Sequence, residues 1–247
     1  MAEIVYPPVV RTALALFKLL GLKLDVQGAE NVPDHGGAVL ASTHVSYIDF
    51  IFVGLGAHPK RRLVRFMAKK QVFDHPVSGP LMRGMHHIPV DRKAGAAAYD
   101  EALRALKEGE LIGVFPEATI NRAFDVKDLK TGAARMAIET GTPLIPVAIW
   151  GTQRLWTKGR PRNLRRRGVP VTIRVGEPIP VAPGDDLQQV TERLRTRLRE
   201  MLTAIQDEYP DSPQGDDELW WQPHRLGGGA PTVEESRRMD AEDYHNR

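Results

Sequence analysis

Two side chains in this 247-residue chain, His44 and Asp49, have the types and spacing for proton transfer. They lie in Thr43-His44-Val45-Ser46-Tyr47-Ile48-Asp49, directly after Ala38-Val39-Leu40-Ala41, an apolar run that reads as a buried strand. The segment Tyr47 to Val53 then reads as a short buried helix. The result is strand, polar turn and helix, with the histidine in the turn. A histidine just ahead of a helix N-terminus meets the positive end of the peptide dipoles, which favours a neutral, proton-accepting ring. A carboxylate five residues on can bond the other ring nitrogen, fix its tautomer and stabilise the charge the ring acquires. The same residues also admit a structural reading. Ser46 and Asp49 fit a capping box, in which the carboxylate only satisfies N–H groups at the helix start.

Further blocks carry chemistry. In GMHHIPVDR (84–92), Arg92 ends an apolar strand, and a guanidinium can pair with a phosphate through two N–H donors. Its structural alternative is a pair with neighbouring Asp91. His86-His87 have no accompanying cluster at metal-ligand spacing, so no metal is expected. In FPEATINR (115–122), Glu117 follows a strand and Pro116, which aims a carboxylate into a turn. PLIPVAIWG (143–151) is apolar around Pro146 and reads as packing.

These four blocks, in this order and spacing, resemble the glycerolipid acyltransferase family over about residues 36–152. The resemblance implies transfer of a fatty acyl group from acyl-CoA or acyl carrier protein to a hydroxyl of 1-acylglycerol 3-phosphate, giving phosphatidate. Thioester donors would be substrates, and no cofactor is implied. His44 would be the base and Asp49 its orienter, while Arg92, Glu117 and Thr119 would hold the acceptor. The third block departs from the family's Phe-Pro-Glu-Gly-Thr-Arg-Ser, with Ala118 for Gly, Ile120 for Arg and Asn121 for Ser. The phosphate-binding arginine is therefore missing, and Arg122, Lys127 and Lys130 are the local cations that could replace it. Arg122 is the expected substitute.

Acyl transfer from a thioester to an alcohol needs a base, a stabilised oxyanion and two positioned substrates. The chain has no cysteine and no G-x-S-x-G elbow, so a covalent intermediate is not expected. Rival readings are a different acceptor, such as glycerol 3-phosphate or a phosphoglycolipid, and an inactive lipid-binding protein.

Residues 205–247 carry 4 Lys/Arg against 11 Asp/Glu, whereas the other 204 residues carry 30 against 20. A basic body suits anionic partners such as a phospholipid surface. Residues 151–168 hold 7 Lys/Arg and no acid. Nucleic acid is not expected there, because base-stacking aromatics and reading motifs are missing.

Strand and helix patterns alternate along the chain. The expected fold is α/β, a single domain with a central mostly parallel or mixed sheet flanked by helices, like the glycerol-3-phosphate acyltransferases, with the motifs at strand C-termini. Residues 1–33 read as an apolar helix and lead-in, either packed on the core or lying at a membrane interface. Residues 34–209 read as the acyltransferase domain, and 210–247 as an acidic, largely disordered tail with Trp220 and Trp221 as its expected anchor. No apolar run approaches the length of a membrane span, so peripheral attachment to the cytoplasmic side of the cell membrane is expected.

Overall fold

The computed structural model describes residues 3–91 and 95–245. In chain order the elements are α1 (Tyr6–Leu19), β1 (Lys23–Gln27), β2 (Ala38–Ser42), α2 (Asp49–Ala57), β3 (Val64–Lys69), α3 (Lys70–Asp74) and α4 (Ser78–Gly84). Next come β4 (Ile88–Val90), α5 (Gly95–Lys107), β5 (Leu111–Val114), α6 (Gly132–Thr140), β6 (Leu144–Trp150), β7 (Pro170–Val175), α7 (Leu187–Asp207) and α8 (Val233–His245).

The seven strands form one mixed sheet, ordered β1-β7-β6-β2-β5-β3-β4. Among these seven strands, the β6–β7 pairing alone is antiparallel. Strand β2 sits at the centre and is buried at every residue, as a strand covered on both faces must be. Its side chains alternate between two cores. Ala38 and Leu40 pack with α1 and α2 through Phe17, Phe52 and Val53. Val39 and Ala41 pack with α5, α6 and α7 through Leu106, Met136 and Leu198.

Helix α7 follows its sequence periodicity, burying Val190, Leu194, Leu198, Met201, Leu202 and Ile205 along one face. Asp186 caps it by accepting the Gln189 N–H. Helix α1 is a core helix on one side and open on the other. Phe17 stacks on Phe52 with ring centroids 4.9 Å apart, and the Tyr6 hydroxyl donates to the Val64 carbonyl at 2.8 Å. Leu16 and Leu19 face outward.

The tail departs from expectation. Residues 216–221 form a 3-10 turn, and α8 packs against the body. Two causes order the tail, the tryptophan anchor expected from sequence and a charge pairing that tail composition alone did not show. Trp221 is only 2% exposed within the core cluster, with the Arg154 guanidinium 4.4 Å from its ring centroid. The tail's acids also find the cations of the basic loop, Arg154 pairing with Asp211 and Arg166 with Glu218.

Candidate active site

Strands β4, β5, β2 and β6 are mutually parallel, so their C-terminal ends share one edge of the sheet. Thr43-His44 leave β2 there, Phe115-Pro116-Glu117 leave β5, and Gly151-Thr152 leave β6. Three of the four blocks thereby converge.

His44 Nδ1 lies 3.0 Å from Asp49 Oδ2. The Asp49 side chain is wholly buried, while that of His44 is 18% exposed. The same Oδ2 accepts the Val45 and Ser46 N–H groups at 2.7 Å each, and Oδ1 accepts the Thr152 hydroxyl at 2.6 Å. A carboxylate held by three protein donors cannot turn away from the imidazole, and its bond to Nδ1 leaves Nε2 as the open ring nitrogen. Phe115 stacks on the imidazole with centroids 4.1 Å apart, fixing its plane.

The capping-box reading is corrected in part. Asp49 does hold the Ser46 N–H, but α2 starts at Asp49 itself and not at Tyr47. The Ser46 hydroxyl donates to the Trp156 carbonyl at 2.5 Å and also accepts the Ile48 N–H at 3.3 Å. The carboxylate therefore shapes the turn and orients the histidine together.

Glu117 supports the same turn from β5. Its Oε1 accepts the His44 N–H at 3.3 Å, and Oε2 accepts from Asn121 Nδ2 at 2.7 Å and the Lys127 N–H at 3.2 Å. The Asn121 N–H in turn donates to the His44 carbonyl at 2.7 Å. Burial pushes the Glu117 carboxyl up to about 7, outweighing these donors and the Lys127 charge. Both oxygens face the protein's own N–H groups, which makes Glu117 a brace for the His44 backbone. Ala118, where the family pattern has Gly, sits at φ 59°, the left-handed region in which glycine carries no steric cost.

The remaining expected residues are more dispersed. Thr119 is half-buried, and its hydroxyl makes no hydrogen bond among the described residues. Ile120 is buried. Arg122 does not stand open to a ligand, because Asp240 and Asp243 of α8 hold its guanidinium, with Nη2 2.8 Å from Asp243 Oδ2. Lys127 is bound to Asp240 at 2.5 Å, whereas Lys130 is exposed. Arg92 lies outside the described residues. His87 is structural. It is buried, its Nδ1 accepts the Phe66 N–H at 3.1 Å, and burial pulls the ring down to about 3.

Thr152 and Phe115 were not singled out from sequence. Thr152 reaches Asp49 across 103 residues, so no local spacing could pair them. The available signal was its place, one residue past the fourth block at the end of a strand. Gly151 permits that placement, since a Cβ there would fall 2.1 Å from the Pro170 carbonyl oxygen.

Comparison with known proteins identifies relatives of this chain. A family model described as acyltransferase matches residues 23–150. A 1-acyl-sn-glycerol-3-phosphate acyltransferase of Bacillus subtilis is 32% identical over 205 residues, covering 78% of this chain and 96% of that protein. A protein of the same name from Borreliella burgdorferi is 33% identical over 144 residues, 57% of this chain and 56% of that one. Among solved structures, the 1-acyl-sn-glycerophosphate acyltransferase PlsC of Thermotoga maritima superposes with a TM-score of 0.68 at 23% identity, over 84% of this chain and 81% of that chain, which establishes a shared fold.

Proposed function

This chain belongs to the acyltransferase family, and from that premise we propose that it transfers a fatty acyl group from acyl-CoA or acyl carrier protein to the free hydroxyl of 1-acylglycerol 3-phosphate, forming phosphatidate. The observation that carries the reading is the His44–Asp49 pair, 3.0 Å apart at the C-terminal edge of the sheet. The names of the relatives supply the acceptor.

In this mechanism His44 Nε2 takes the proton of the acceptor hydroxyl as its oxygen attacks the thioester carbonyl. Asp49 stabilises the imidazolium that forms. The tetrahedral intermediate collapses with cleavage of the carbon–sulfur bond. The proton passes from His44 to the departing thiolate, leaving an ester and a thiol. No side chain is acylated. Arg92 is proposed to hold acceptor phosphate, with Glu117 keeping the His44 turn in place.

The lipid acceptor and soluble donors put the reaction at a membrane surface, on the cytoplasmic side, with the protein attached peripherally. Exposed Ile4, Leu16 and Leu19 near or on α1, together with Val77 and Leu81 at α4, support that attachment. No helix among the described residues is long and apolar enough to cross a membrane.

The test is thiol release from acyl-CoA and from acyl carrier protein, followed with a thiol-reactive dye, with lysophosphatidate, with glycerol 3-phosphate and with neither. Release that depends on lysophosphatidate supports the proposal. Release with glycerol 3-phosphate alone reassigns the acceptor. No release with any acceptor, from acyl-CoA or from acyl carrier protein, leaves a lipid-binding protein.

A further inference from the structure

Three cations gather beside the active-site turn, and the chain's own tail covers them. Lys127 Nζ lies 2.5 Å from Asp240 Oδ2, and Lys158 Nζ lies 2.7 Å from Asp240 Oδ1 and 2.8 Å from Asp243 Oδ2. Arg122 reaches the same two carboxylates at 3.4 and 2.8 Å. The side chains of Arg122, Lys127 and Lys158 are only 11, 9 and 12% exposed, so this is a desolvated cluster rather than a solvated basic face.

Each cation is tied to the catalytic turn. Arg122 follows Asn121, whose N–H bonds the His44 carbonyl. The Lys127 N–H bonds the Glu117 carboxylate that also holds the His44 N–H. Lys158 follows Thr157, whose hydroxyl donates to the Val45 carbonyl at 2.7 Å. The cluster is also incompletely satisfied. Among the described residues, three positive charges face two negative ones, and Arg122 Nε is buried without an acceptor.

Helix α8 is held by charge more than by apolar burial. Its face toward the body presents Ser236, Asp240 and Asp243, and Ser236 is its only residue that is fully buried among those described. Met239 is exposed, and Gly227-Gly228-Gly229 separates α8 from the Trp221 anchor. An element with so little apolar contact can open locally at small cost.

We propose that Arg122, Lys127 and Lys158 form a phosphate-binding site next to His44, and that α8 is its internal competitor, with Asp240 and Asp243 standing in for the phosphate. The two carboxylates carry the charge of a phosphomonoester dianion, about −2. Phosphate binding then requires α8 to swing away, and the buried Nε–H of Arg122 gains an acceptor. The phosphate belongs either to the soluble or micellar acceptor, which the cluster then holds together with Arg92, or to an anionic headgroup in the bilayer. The inference rests on the acyltransferase reading for its biological sense. Its test needs no donor and no turnover, so either can fail alone.

The experiment titrates inorganic phosphate into the full chain by calorimetry, comparing wild type with Asp240→Asn/Asp243→Asn. The double variant should bind phosphate about tenfold or more tightly, by losing two charge-assisted competitors. Ser236→Arg, which pries α8 off while keeping both carboxylates, should tighten binding in the same direction. Adding Arg122→Gln and Lys158→Gln to the double variant should abolish binding. Hydrogen exchange of residues 233–245 in wild type then identifies the source. Faster exchange with lysophosphatidate in neutral micelles marks the acceptor. Faster exchange with phosphatidylglycerol vesicles but not with phosphatidylcholine vesicles or the micelles marks the bilayer. Unchanged phosphate affinity in both α8 variants, even with a lowered Tm, overturns the proposal, as does α8 protection unchanged by every probe.

Discussion

Asp49 accepts from the imidazole, two backbone N–H groups and the Thr152 hydroxyl, so orienting the base and building the turn are one act. Asp49→Asn replaces an acceptor with a donor among donors. It should cut kcat by about two or more orders of magnitude. It should also cost roughly 1–3 kcal/mol of stability for the buried N–H left unpaired. Thr152→Val removes one of the four bonds, and steady-state kinetics should show kcat about tenfold lower with KM unchanged. An unaltered kcat would mean that Thr152 only packs. Glu117 gives a pH signature. Its folded value of about 7 lies above the ordinary 4.5, so the native state keeps a proton that the unfolded chain releases between those values. The stability this contributes is full below about 4.5 and lost by about 7, a fall of roughly 3 kcal/mol. Glu117→Gln should flatten that slope in denaturant titrations from pH 4.5 to 8, and a slope kept intact would assign it elsewhere. His44 and Asp49 were legible because six consecutive residues of one turn carry both. Thr152 and the bonds Glu117 makes to the His44 turn were not, because the partners lie on other strands.

At the scale of elements, periodicity placed the strands and the long helices as far as α7, because each buries one apolar face or two, whereas α8 lay in the stretch read as disordered. Helix α3 escaped notice, since Lys70–Asp74 is a short polar turn whose one buried side chain is Phe73. The two readings of the N-terminal helix prove compatible. Tyr6 and Phe17 face the core while Leu16 and Leu19 face out. Removing the whole segment would strip a core face, so surface substitutions are the cleaner probe. Leu16→Glu/Leu19→Glu should reduce co-sedimentation with anionic vesicles several-fold while Tm stays within a few degrees. Vesicle binding equal to wild type would remove α1 from the membrane contact.

The molecule as a whole is a basic body wrapped by its acidic end. Composition revealed both signs but not that one covers the other, because a tail weighed alone lacks the apolar surface to order itself. The body supplies what it lacks, through the cleft around Trp221 and the cations of residues 151–168. Trp221→Ala should therefore destabilise the entire protein by about 3–5 kcal/mol in urea unfolding, with one cooperative transition. A mutant that melts only locally would show the tail to be an appendage. The central claim is that His44 is the base of an acyl transfer to lysophosphatidate, and it is tested most directly by product lipid mass. Purified wild type with acyl-CoA and lysophosphatidate should yield phosphatidate heavier than the acceptor by one acyl group. His44→Ala, with an unchanged circular dichroism spectrum, should yield about a thousandfold less or none. A folded His44→Ala protein that forms phosphatidate within about tenfold of the wild-type rate would contradict the account.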